Sequence, residues 1–103
     1  MTQVPIGTLG DFPDGALVRV EANGTALCVV RVGDRVHAIC DDCPHAEASL
    51  SEGDFLADDM AVECPLHGSA FNVETGAPDC PPATEPVQVY AVTVDGDDVL
   101  VDV

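Results

Sequence analysis

Cys43-Pro44-His45 and, after an 18-residue spacer, Cys64-Pro65-Leu66-His67-Gly68-Ser69 place two thiols and two imidazoles in matched Cys/His pairs. Soft sulfur donors combined with imidazoles suit an iron–sulfur centre or structural zinc. Pro44 and Pro65 remove backbone donors and stiffen the chain beside each Cys, and Gly68 lets the neighbouring main chain come close to whatever the pairs hold. The Ser69 hydroxyl is placed to donate to an acceptor such as a bridging sulfide, favouring a reduced, more negative centre.

The ligand types matter through charge. Two ferric ions, two bridging sulfides and two thiolates sum to zero, whereas a centre held by thiolates alone is a dianion. An electron added to a neutral object in a partly dry site costs less than one added to a dianion. Two neutral imidazoles in place of two thiolates therefore raise the reduction potential, to roughly −150 to +300 mV for such centres.

Over essentially its full length the chain resembles the Rieske ferredoxin family. The resemblance is carried by Cys43-Pro44-His45 with Ser49-Leu50-Ser51-Glu52-Gly53 behind it, by Val62-Glu63-Cys64-Pro65-Leu66-His67-Gly68-Ser69-Ala70-Phe71, by Thr75-Gly76 and by Pro81-Pro82-Ala83. It is most similar to the small ferredoxins of bacterial aromatic-ring-hydroxylating dioxygenase systems. The resemblance implies one [2Fe–2S] cluster, with Cys43 and Cys64 on the buried iron, His45 and His67 on the outer one, and Pro82 in a third loop covering it. The respiratory-chain branch of the family carries a disulfide between its cluster loops and a Tyr supporting a cluster cysteine. Here the corresponding residues are Ala48, Leu66 and Phe71, which places the expected potential toward the low end of the class.

Structural zinc is the competing use of the same four donors, and Cys40 makes Cys40-Asp41-Asp42-Cys43 a Cys-x-x-Cys pair. Against zinc, this is not the usual finger spacing and no helix-periodic stretch follows His67. Cys28, in Ala26-Leu27-Cys28-Val29-Val30, reads as a small buried hydrophobe. Cys40 reads as a strand-end residue, and Cys80 falls in the loop that the resemblance places over the cluster. With five cysteines and two assigned as ligands, a disulfide framework is not expected, which fits a reducing cytoplasm.

The elements that must position these donors read as β-strands. Short β-branched runs at residues 16–21, 25–32, 35–39, 60–63, 70–73, 87–94 and 99–103 are separated by turn signals such as Asn23-Gly24, Gly33-Asp34 and Asp95-Gly96. No stretch keeps a 3.6-residue period, although residues 46–51 suit a short helical turn. Residues 78–86, rich in proline, suit an ordered loop. At 103 residues the chain is expected to be one all-β domain. The resemblance implies an antiparallel β-sandwich with a small cluster-binding subdomain over about residues 40–83 at one tip. The start, Met1-Thr2-Gln3-Val4-Pro5, has no charged and apolar leader pattern, and no apolar run reaches membrane-spanning length.

Nineteen acidic residues against three arginines give a net charge of −16, which excludes nucleic acid and anionic membranes as partners and favours a monomer by self-repulsion. Partners are expected to be basic where they dock, and Asp41-Asp42, beside the first Cys/His pair, is the expected docking pair ahead of Asp58-Asp59 and Asp97-Asp98. A surface acidic only for solubility stands beside that reading. With His45 and His67 assigned, only His37 remains for an open iron site, and it reads as structural; no Gly-rich nucleotide fingerprint is present. Oxygen activation and nicotinamide oxidation therefore belong to other proteins. The expected function is a cytoplasmic one-electron carrier, not an enzyme, between an NAD(P)H-dependent ferredoxin reductase and the terminal oxygenase of a dioxygenase system. The alternatives are an accessory subunit of another redox or iron–sulfur-assembly system, and a zinc-stabilised interaction module.

Overall fold

The computed structural model describes residues 3–41, 49–65, 70–78 and 86–103. They form ten strands: β1 (Gln3–Thr8), β2 (Leu17–Ala22), β3 (Thr25–Val32), β4 (Arg35–Cys40), β5 (Asp54–Leu56), β6 (Ala61–Glu63), β7 (Ala70–Asn72), β8 (Val89–Tyr90), β9 (Val92–Asp95) and β10 (Asp98–Asp102). The helical pieces among them are single 3-10 turns at Leu9–Asp11 and Leu50–Glu52. None is long and apolar enough to cross a membrane.

Three antiparallel sheets result, ordered β1-β10-β9, β2-β3-β4-β8 and β5-β6-β7. The β2–β3 hairpin turns on Asn23-Gly24, whose φ angles of 52° and 80° match the right-handed twist of the flanking strands.

The middle sheet is buried on both faces, which is why Ala26–Val30 in β3 is a continuous apolar run and not an alternating one. Side chains of successive strand residues point to opposite faces. Leu27 and Val29 accordingly join Phe12, Val36, Ala38, Val99 and Val101 against the first sheet. Cys28 and Val30 join Ile39, Leu50, Val62, Cys64, Phe71, Val73 and Val87 against the small third sheet. Cys28 is thus the buried hydrophobe expected of it, and Cys40 is the last residue of β4.

The all-β antiparallel architecture is as expected, and two local readings are corrected. Residues 87–94 are not one strand: the chain leaves the middle sheet after Tyr90 and pairs in the first sheet from Val92. Strands β1 and β5 were not expected from the sequence. The expected short helical turn is present at Leu50–Glu52, two of whose three residues fall within 46–51, and residues 46–48 lie outside the described residues.

Candidate metal centre

Three backbone closures mark where the chain leaves the sheets toward the Cys/His segments. At the end of β4, the Cys40 N–H donates to Gln88 O (2.9 Å), the Asp41 N–H to Ala26 O (3.1 Å), and the Leu50 N–H to Asp41 O (2.7 Å). The chain before residue 42 is thereby tied to the chain after residue 48. Glu63 of β6 pairs with Ala70 of β7, closing the segment that begins with Cys64. The Val87 N–H donates to Gly76 O (2.9 Å), and Phe71 bridges Pro78, closing the proline-rich stretch.

These closures are joined to one another. Strand β5, which follows the first closure, pairs with β6, which leads into the second: Asp54 faces Glu63 and Phe55 faces Val62. Between them Gly53 lies against the Glu63 carbonyl so closely that a Cβ there would overlap the oxygen. Past β7, Asn72 builds the next turn: its side-chain oxygen accepts the N–H groups of Glu74 (2.8 Å) and Thr75 (3.1 Å), and its carbonyl accepts Gly76 N–H (2.7 Å). Gly76 sits at φ +78°, with its missing side chain facing the Val87 carbonyl, so both conformation and space demand glycine.

Of the four expected ligands, Cys64 is described: it directly follows β6, is 1% exposed and packs in the cluster containing Leu50, Val62 and Phe71. Cys43, His45 and His67 lie outside the described residues, as do Ala48, Leu66, Ser69, Cys80 and Pro82. Phe71, at the position read as lacking a Tyr hydroxyl, is fully buried.

Asp41 overturns its expected role. It is 0% exposed, so it cannot present charge to a docking partner, while its pair-mate Asp42 lies outside the described residues. Its carboxylate accepts the Ser51 N–H (2.8 Å) and the Arg19 Nε–H (3.2 Å). Asp58-Asp59 and Asp97-Asp98 are exposed, as read from the sequence. Burial, reinforced by the charge of Asp41, pushes the Cys28 thiol up from 9.0 to about 12. His37 lies on β4 with Nε2 buried and without a hydrogen-bond partner. Burial lowers its pKa, opposed by Glu74 and assisted by Arg35.

Residues 2–91 match the family model of the Rieske [2Fe-2S] domain. The chain belongs to the Rieske [2Fe-2S] domain family. This Rieske domain is similar to the 3-phenylpropionate/cinnamic acid dioxygenase ferredoxin subunit of Shigella flexneri serotype 5b, with 39% identity covering 99% of this chain and 94% of that one. Among solved structures it is similar to the ferredoxin of carbazole 1,9a-dioxygenase from Nocardioides aromaticivorans IC177, with TM-score 0.94 and 44% identity over 98% of this chain and 97% of that one. It is also similar to the ferredoxin in a complex of reduced oxygenase and oxidized ferredoxin in carbazole 1,9a-dioxygenase, with TM-score 0.87 and 42% identity over 96% of this chain and 91% of that one. The Rieske domain is accordingly an electron-transfer component and not a catalyst, and its cofactor is a Rieske-type [2Fe–2S] cluster.

The residues present fit that group. Two sulfur and two imidazole donors are the set such a cluster takes, and Cys64 is a buried member of an apolar cluster, as suits a ligand on a buried iron. Sequence reasoning missed two parts of the site's support. Gly53 belonged to a matched motif, but its contact with Glu63 is formed only once β5 and β6 pair. The Asp41–Arg19 pair joins residues 22 positions apart, and no local pattern signals it.

Proposed function

We propose that this Rieske domain holds its cluster through Cys43, His45, Cys64 and His67, within a unit of about residues 40–83 of a single domain. On this reading it carries single electrons from an NAD(P)H-dependent ferredoxin reductase to the terminal oxygenase of an aromatic-ring-hydroxylating dioxygenase. When bound, the cluster supplies reversible one-electron chemistry at a potential raised by neutral imidazole ligation. The chain's own residues do the rest. Cys64 follows directly on the β6–β7 pairing that ends at Glu63 and Ala70, and it is buried in an apolar cluster with Leu50, Val62 and Phe71.

The observation that carries this reading is end-to-end similarity to dioxygenase ferredoxins: 99% of the chain aligns with one such subunit and 96% superposes on a ferredoxin seen with its oxygenase. A net charge of −16 supports transient docking on basic surfaces of reductase and oxygenase, with long-range attraction speeding encounter without demanding tight affinity. The same charge favours a monomeric carrier, and Cys28 and Cys40, which form no disulfide among the described residues, suit a reducing cytoplasm.

Reconstitution tests the function. With a ferredoxin reductase and a dioxygenase oxygenase component, nicotinamide oxidation and product formation should both depend on the added chain and saturate with it. Unchanged turnover on omitting the chain, in every pairing that is active with its own ferredoxin, would contradict the assignment.

A further inference from the structure

Three elements meet at the Asp41 carboxylate: β2 through Arg19, the end of β4 through Asp41 itself, and the turn at Leu50–Glu52 through Ser51. One oxygen takes the Ser51 N–H at 2.8 Å and the other the Arg19 Nε–H at 3.2 Å, while the Asp41 carbonyl takes the Leu50 N–H. A carboxylate removed from water costs several kcal/mol unless it is paired and hydrogen-bonded, so these bonds fix one side-chain position. Asp41 stands two residues before Cys43, and Leu50 and Ser51 stand after His45. The pair therefore grips both ends of the segment that carries two of the proposed ligands.

Arg19 reaches this buried group from the surface. Its side chain is 52% exposed, and Nη2 contacts Glu21, 66% exposed, at 3.2 Å. Serving an inner carboxylate with Nε and an outer one with Nη2 uses the fork of a guanidinium, which an ammonium lacks.

We propose that Arg19 and Asp41 are positioning residues of the metal centre, which hold the first ligand segment by its ends and set the reduction potential through their balanced charges. The proposal rests on Cys43 and His45 being ligands. A bare carboxylate two residues from a proposed ligand opposes an incoming electron, and the guanidinium at 3.2 Å offsets it.

The test is the midpoint potential of cluster-loaded Arg19→Gln, Arg19→Lys, Asp41→Asn and the Arg19→Gln/Asp41→Asn double variant, with the visible circular dichroism of the cluster alongside. Asp41→Asn keeps an oxygen for the Ser51 N–H and should shift the potential upward. Arg19→Gln should shift it downward, Arg19→Lys should restore most of that loss, and the double variant should return close to the parent. If Arg19→Gln fails to load, the comparison of Asp41→Asn with the double variant decides, because removing both charges leaves none buried unpaired. Equal potentials in those two, or shifts of the same sign in the two single variants, would overturn the proposal. Failure of the ligand assignment is separate: Cys43→Ala would then keep its iron.

Discussion

The α-carbon of Gly53 packs directly on the carbonyl of Glu63, the residue before Cys64. This contact locks the strand that follows the first Cys/His segment to the strand that leads into the second. Adding a methyl group at 53 forces β5 and β6 apart at the base of both segments. Gly53→Ala should lower stability by about 1–3 kcal/mol, the usual cost of overpacking, and reduce iron bound per chain. Thermal melting and metal analysis check both. Gly76→Ala should cost more, because it adds left-handed backbone strain to a clash with the Val87 carbonyl.

His37 makes stability fall on mild acidification. Its folded pKa lies below the ordinary 6.5 because burial disfavours the charged ring. Below 6.5 the unfolded chain therefore binds a proton that the folded chain refuses, so stability decreases as pH falls through that window and is unaffected by this group at higher pH. His37→Leu should flatten the slope of melting temperature against pH between about 7 and 5.

Cys28 acts at the other end of the scale. Its unfolded thiol ionises near 9.0 and its folded thiol near 12, so the unfolded state holds fewer protons between these values and stability declines as pH rises through them. Tyr90, also raised by burial, adds to the same slope. At neutral pH the folded thiol has about a thousandth of the ordinary thiolate fraction. Alkylation of Cys28 should proceed at the rate of unfolding, and Cys28→Ala should lessen the alkaline slope.

The donors themselves were legible, because ligand chemistry fixes residue types and short spacings whatever the surrounding fold. The strands legible in sequence were those with β-branched runs, such as β3 and β4. Strand β1 was hidden by Pro5 and Gly7, residues that normally argue against a strand; the structure admits them because β1 is a sheet edge and its register slips between those two residues. Strand β5 is only Asp54-Phe55-Leu56 and exists through its pairing with β6. Ala91 interrupts no hydrophobic pattern, so the switch of sheets between β8 and β9 left no local trace. Asp41 looked like one of many surface acids, and only tertiary contact with Arg19 and Ser51 separates it from exposed Asp58 and Asp59.

Charge steering should show in kinetics. If the acidic surface speeds encounter with basic partners, the second-order rate of reduction by the reductase should fall steeply as ionic strength rises from about 0.01 to 0.15 M, where the screening length shrinks from about 30 to 8 Å. The rate at saturating concentration should change little. A salt-independent second-order rate would assign the acidity to solubility alone.

The most direct test of the whole account is an anaerobic reductive titration of purified protein, with iron and acid-labile sulfide measured on the same sample. Two irons and two sulfides per chain are expected, in a coloured protein that takes up one electron per pair of irons and loses this signal in Cys64→Ala and His67→Ala. A colourless protein binding zinc, or one that keeps its electron uptake without Cys64 and His67, would contradict it.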